Sequence, residues 1–291
     1  MRFRTEYTPV RSDLRLDPTH PVVLIGSCFA DNIARRMREC QWEAFNGCGT
    51  LYNPASIAKV LDMLVLSDDV SSMVEDSLFE SDGMVHSWLF DTHFSRTSAS
   101  DCMQAVAEAR NALLTSLAGA QALIVTFGTS WCYRLDERKD YIVANCHKRP
   151  QAMFERFRLT VTETSRIWID LCARLKERYP ALKVIFTVSP VRHMKDGFEG
   201  NSRSKAALLL AVEEICGSSD NALYFPAYEI VCDDLRDYRF YASDLVHPSE
   251  TAVEYIWEIF RKTFIDGKGE QLLAEGRKKF KSLSHRPIAR Q

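Results

Sequence analysis

Val22-Val23-Leu24-Ile25-Gly26-Ser27-Cys28-Phe29-Ala30 is an apolar run that stops at a glycine and passes into a hydroxyl and a thiol. The residues after it are amphipathic at helical spacing. Phe29, Ile33 and Met37 share one face, while Asp31, Asn32, Arg35, Arg36 and Arg38 fill the other, so the stretch reads as strand, sharp turn, helix. Ser27 then stands where a buried strand opens onto a helix N-terminus. Two roles suit a hydroxyl there: an N-cap that accepts a first-turn backbone N–H, or a nucleophile at the carboxyl end of a sheet strand. Cys28 adjoins it at the same helix end, where a thiolate is stabilised; a turn that aimed Cys28 at the base would make a thiol enzyme.

Outward from this stretch, strand-like and helix-like segments alternate. Residues 1–20, with Pro9 and Pro18, read as extended chain over the surface. Gln41 to Asn46 reads as a short second strand that ends in Gly47-Cys48-Gly49-Thr50, and Asn53-Pro54 starts a helix to about Leu66. Ser81-Asp82-Gly83 sits between two apolar-rich arms, as in a hairpin. A helix over Asp101 to Leu117 leads to the unbroken apolar strand Ala122-Leu123-Ile124-Val125-Thr126-Phe127, a pattern suited to burial on both faces. A second hairpin is expected from Trp131–Leu135 and Tyr141–Ala144. After it come a helix from Thr160 to Tyr179, a strand Lys183–Val188, a helix from Arg203 to Cys216, a short strand Leu223–Phe225, and a final helix carrying Val253, Ile256, Trp257 and Phe260. The pattern predicts an α/β fold with a mostly parallel sheet, helices on both faces, and inserted β-hairpins. Sites in such sheets lie beyond the carboxyl ends of the strands.

The 291 residues carry 37 basic and 39 acidic side chains, a net charge of −2, so no global field draws the chain to nucleic acid or to a membrane surface. Nine scattered cysteines without a CxxC suit a reducing compartment. No apolar run of signal-peptide length follows Arg2 and Arg4, and the expected location is cytoplasmic. One domain over 1–291 is expected, with a catalytic core at 20–265. Residues 266–291, with Lys268, Arg277, Lys278, Lys279, Lys281, Arg286 and Arg290, form a basic helix or tail with a solvated face.

A serine or cysteine acts on an acyl group only if a base takes its proton and a third group orients that base. Asp244-x-x-His247-Pro248 supplies such a pair: the carboxylate is within reach of the imidazole Nδ1–H, and Pro248 keeps His247 extended on a loop. The order Ser27, Asp244, His247 is the one required of a nucleophile on an early α/β strand.

The residues Gly26-Ser27-Cys28-Phe29-Ala30, together with Leu51-Tyr52-Asn53-Pro54, Gly128-Thr129, Asn145-Cys146-His147-Lys148, Ser189-Pro190-Val191-Arg192-His193 and Asp244-x-x-His247-Pro248, resemble the GSCFA-domain proteins, a branch of the SGNH/GDSL hydrolase superfamily. The resemblance spans roughly residues 20 to 265. It implies a three-layer α/β/α flavodoxin-like fold with strand order 2-1-3-4-5, and an ester hydrolase or acyltransferase with Ser27 as nucleophile, His247 as base and Asp244 as its orienter. It also implies an oxyanion hole from the Ser27 N–H, a glycine N–H after the second strand and an asparagine after the third. Gly49 is the choice for the glycine and Gly47 the alternative. The asparagine is replaced by Ser130, leaving Thr129, Ser130 or Asn145 as the third donor.

His93, Trp131, His147, Arg192 and His193 are candidate substrate contacts; an arginine binds a carboxylate or phosphate bidentately, and Trp88 and Trp131 are of a type that stacks on sugars. Histidines 93, 147, 193 and 247 show no short-spaced pair, so no metal is expected. No cofactor is called for. The expected partner is a small-molecule acyl ester, such as an acetylated carbohydrate, with a catalytically weak binding module of the same fold as the alternative. A nucleotide-binding reading lacks a G-x-x-x-x-G-K-S/T motif.

Overall fold

The computed structural model describes residues 4–284. Its centre is a five-stranded parallel sheet of β1 (Val22–Gly26), β2 (Ala44–Phe45), β3 (Ala122–Phe127), β4 (Lys183–Val188) and β5 (Ala222–Tyr224), ordered β2-β1-β3-β4-β5. Numbered within the sheet, this is the 2-1-3-4-5 order. Each residue of β1 pairs in register with β3, from Val22 opposite Ala122 to Gly26 opposite Thr126.

The sheet sorts its side chains by period two onto two cores. Val23, Ile25, Leu123, Val125, Phe127, Val184 and Phe186 face a layer of α2 (Pro54–Leu61), α3 (Ala99–Gly119), α4 (Val161–Arg178) and α5 (Gly197–Ser218). Val22, Leu24, Ala122, Ile124 and Ile185 face α1 (Cys28–Glu39), α6 (Glu250–Phe264) and α7 (Gly267–Ser284). Helix α1 is held by Phe29, Ile33, Ala34 and Met37, all buried, and each large apolar side chain so placed contributes roughly 1.5–3 kcal/mol.

Where β1 ends, Gly26 adopts φ +135°, and a Cβ there would stand 2.2 Å from the Thr126 carbonyl oxygen, so only glycine fits. This turn stands α1 on the carboxyl edge of the sheet.

Both expected hairpins form, and other elements depart from the sequence expectation. Leu78–Ser81 and Met84–Ser87 form the first hairpin about Asp82-Gly83, both at positive φ. Trp131–Leu135 pairs with Ile142–Val143 as expected, but also with an unforeseen third strand, Phe154–Arg158. Helix α5 begins at Gly197, ahead of the expected Arg203. Residues 4–20 hold no helix or strand, yet Leu16 is buried.

The basic stretch after α6 is the helix α7, which buries Leu273, and Arg277 Nη1 donates to Glu254 Oε1 at 2.7 Å. Gly276 packs so closely that a Cβ would stand 1.9 Å from the Cys40 carbonyl oxygen. Arg286 and Arg290 lie outside the described residues. Among the described residues no helix is long and apolar enough to cross a membrane.

Candidate active site

A cleft of about 830 Å³ opens beyond the carboxyl ends of the strands. Its walls come from the start of α1 (Cys28), the loop after β2 (Tyr52, Asn53), the loop after β3 with the three-stranded insertion (Thr129, Trp131, Asn145, Arg156), the loop after β4 (Arg192, His193) and the loop before α6 (Val246, His247).

Two loops are tied beneath it. Gly128 N–H and Thr129 N–H both donate to the Tyr52 carbonyl, at 2.8 and 3.0 Å. Buried Lys205 on α5 donates to the Gly128 and Ser189 carbonyls, both at 2.6 Å, and so joins the chain beyond β3 to that beyond β4. Burial pushes the Lys205 ammonium down to about 7, a shift opposed by the Cys232 and Cys28 thiols.

The loop before α6 is built around one carboxylate. Asp244 Oδ1 accepts the N–H groups of Val246 and His247 at 2.9 and 3.0 Å, and Oδ2 meets His247 Nδ1 at 2.7 Å. These bonds hold the Asp244 carboxyl at about 2, below the usual carboxylate range, the backbone N–H of His247 being the largest cause. With Nδ1 engaged, Nε2 is the ring nitrogen left free, and His247 lines the cleft. Arg192 N–H donates to the Val246 carbonyl at 3.2 Å, docking this loop on the one after β4.

Opposite His247, the β1–α1 turn separates its two candidate nucleophiles. Ser27 is 1% exposed and absent from the cleft wall; its Oγ caps α1 by accepting from Phe29 N–H at 3.4 Å. Its own N–H is spent on the Thr126 carbonyl at 3.1 Å, extending the β1–β3 ladder, so that group is not available as an oxyanion donor. Cys28 is half-buried and lines the cleft. Burial raises its thiol above the ordinary cysteine value, helped by Asp31; the N–H groups of Cys28 and Phe29 at the helix start, and Lys205, oppose the shift.

The other expected donors divide in the same way. Gly49 is not among the residues that line the cleft; at φ +72° a Cβ there would stand 2.8 Å from Asp91 Oδ1. Gly47 lies against the Phe45 ring. Ser130 is fully buried, its N–H and Oγ both bonded to Ser204 Oγ at 2.8 and 3.0 Å. Thr129 lines the cleft but its Oγ1 is held by Ser204 Oγ and Trp131 N–H. Asn145 lines the cleft, its Oδ1 accepting from His147 N–H.

Of the proposed substrate contacts, Trp131, Arg192 and His193 reach the cleft, while His93 and His147 do not. His93 is exposed beside Phe94. His147 is pinned by its Nε2 to the Ser87 and Phe90 carbonyls at 2.9 and 3.0 Å. Burial pushes His193 down to about 4, with the Lys205 ammonium adding to the effect. Trp88 is buried against Phe79, ring centroids 3.6 Å apart, and offers no free face for a sugar, while Arg156 lies over one face of the Trp131 ring at 4.1 Å.

Sequence reasoning missed Asn53 as a cleft residue, although Asn53-Pro54 is a helix-start signal. Its Oδ1 caps α2 by accepting from Ser56 N–H at 2.8 Å, and the residue lines the cleft. It also missed Arg156, because the Phe-Glu-Arg-Phe-Arg alternation at 154–158 marks a strand but not its partner.

The GSCFA family model matches residues 21–260. The chain belongs to the GSCFA family. The family's five namesake residues are the glycine, serine, cysteine, phenylalanine and alanine of the β1–α1 turn. No curated protein matches this GSCFA chain. Among solved structures it is similar to a protein described as a GDSL-like lipase from Parabacteroides merdae, with 12% identity, TM-score 0.41, and coverage of 90% of this chain and 100% of that one. A carbohydrate esterase family 3 protein from Talaromyces cellulolyticus is similar at 9% identity and TM-score 0.40, covering 88% and 99%.

Proposed function

We propose that this GSCFA protein is an acyl-transfer enzyme, an ester hydrolase or O-acyltransferase, that works through a thioester on Cys28 rather than an ester on Ser27. The observation that carries the reading is the division of labour at the β1–α1 turn: Cys28 shares the cleft wall with His247, whereas Ser27 is buried and engaged as a helix cap.

In this mechanism His247 Nε2 takes the Cys28 proton as Sγ bonds to the acyl carbonyl carbon. The alcohol leaves as the C–O bond breaks, and takes that proton from His247. Water, or an acceptor alcohol, then gives its proton to His247 and attacks the thioester, and the thiol is restored. Asp244, ionised across the whole working range, holds the tautomer that leaves Nε2 free to accept a proton. The raised thiol explains the need for a base: Cys28 rests protonated, and its proton moves only in the presence of His247. The Cys28 N–H, first in α1 and without an intrahelical acceptor, and Asn53 Nδ2 serve as oxyanion donors. The acyl group is small, such as acetyl, on a hydroxylated carrier.

Turnover of p-nitrophenyl acetate by wild-type protein and by Cys28→Ala, Ser27→Ala, His247→Ala and Asp244→Asn tests this. Loss with Cys28→Ala and His247→Ala, and retention with Ser27→Ala, is the expected result. The reverse order of Ser27 and Cys28 would overturn it, and a folded wild type without turnover would leave a binding module.

A further inference from the structure

The cleft wall carries five cationic side chains, Lys148, Arg149, Arg156, Arg192 and Lys195, against one carboxylate, Asp196, in a chain whose net charge is −2. Asp196 is spent on Arg156, with its side chain only 3% exposed. Among the described residues the other four have no carboxylate partner. Arg149 Nη1 reaches only Ser81 Oγ at 2.8 Å, and its buried Nε has no acceptor. Arg192 lies over the rings of Tyr238 and Tyr241, at 4.9 and 4.2 Å. Lys195 donates to the Tyr133 hydroxyl at 3.0 Å, and Lys148 is exposed. Elsewhere on the surface Arg35, Arg134, Arg138 and Arg174 each meet a carboxylate.

Like charges gathered in a concave, partly desolvated wall repel one another, and the field they focus favours an anion. Guanidinium groups suit planar or tetrahedral oxyanions, which they bind bidentately. A volume near 830 Å³ exceeds what an acetyl group fills and falls in the range of whole small-molecule ligands. We infer that the ligand of this cleft carries a multiply charged oxyanion group, a phosphate or a carboxylate cluster, held by Arg149 and Arg192 with Lys148 and Lys195. Together with the proposed acyl transfer, on which this step rests, the substrate class is an acyl ester bearing such a group.

Calorimetric titration of the whole protein with inorganic pyrophosphate and, separately, with citrate tests the inference without using turnover. One anion or both should bind with one-to-one stoichiometry, the tighter one telling phosphate from carboxylate chemistry. Arg149→Gln with Arg192→Gln should weaken binding by about a hundredfold or more, since each change removes a charge-assisted bond to the anion. Arg138→Gln, whose arginine pairs with Asp76 outside the cleft, should leave it unchanged. In wild-type protein the bound anion should also slow alkylation of Cys28 by iodoacetamide, which places it in this cleft without any variant. No binding of either anion, equal binding by the double variant, or no protection of Cys28 would overturn the inference. If the anion binds and protects while Cys28→Ala leaves turnover intact, the nucleophile assignment falls and the anion site stands.

Discussion

Ser27 and Cys28 are neighbours in sequence, but the turn sends their side chains to different surroundings. The strand's last ladder bond uses Ser27 N–H, and the first turn of α1 uses its Oγ, which puts the next side chain on the cleft wall. Ser27→Ala should therefore cost about 0.5–2 kcal/mol as a lost cap, read by urea unfolding, with turnover largely kept. Asn53 allows a cleaner dissection. Asn53→Asp keeps the oxygen that caps α2 and removes the Nδ2 donor, so unfolding should barely change while kcat falls about 10²–10³-fold. His193 answers to pH. Its folded value of about 4 lies below 6.5, so between these values the unfolded chain binds more protons than the folded one. Stability should rise with pH through that window and be lost on acidification, by about 2 kcal/mol at pH near 4.5. His193→Asn should flatten this dependence in urea midpoints measured near pH 7 and pH 4.5; an equally steep dependence in the variant would assign the acid sensitivity elsewhere. The Asp-x-x-His spacing was readable because that pair is local. Which of Ser27 and Cys28 lines the cleft was not, because it depends on where the neighbouring β3 strand accepts a hydrogen bond.

At the scale of elements, the strands and helices with strong periodicity were legible: β4 matches its expected limits of Lys183 and Val188, and α4 falls within a residue of its expected ends. The Thr160 and Glu163 capping box fixes where that helix starts. The strand Phe154–Arg158 escaped notice because its partner, Trp131–Leu135, is remote in sequence, and alternation alone does not say what a strand pairs with. The function of α5 was equally hidden. Lys205 sits beside Ser204 on a buried face that is otherwise apolar, and nothing in the sequence shows that its ammonium satisfies two strand-end carbonyls. Lys205→Met should leave both carbonyls without their donor and lower stability by about 1–3 kcal/mol, measured by chemical unfolding. An unchanged midpoint would mean that the two carbonyls find other partners.

For the whole molecule, the two-sided core follows from β-strands that are apolar on both faces, as in β1 and β3, where every residue is buried, while the sheet order was implied by the GSCFA resemblance and not by the strands' composition. The glycine that closes β1 was legible as a turn, and its geometry shows why no other residue fits. Cleft charge was not legible, since Lys148, Arg149, Arg156, Arg192 and Lys195 come from separate loops and strands and are averaged away in a nearly neutral composition. The central claim concerns the atom that carries the acyl group. Brief reaction with p-nitrophenyl acetate, acid quench and peptide mass mapping reads this directly. The account predicts an acetyl adduct on the peptide at Cys28, removed by neutral hydroxylamine as a thioester is. An adduct on Ser27 that survives neutral hydroxylamine would contradict it.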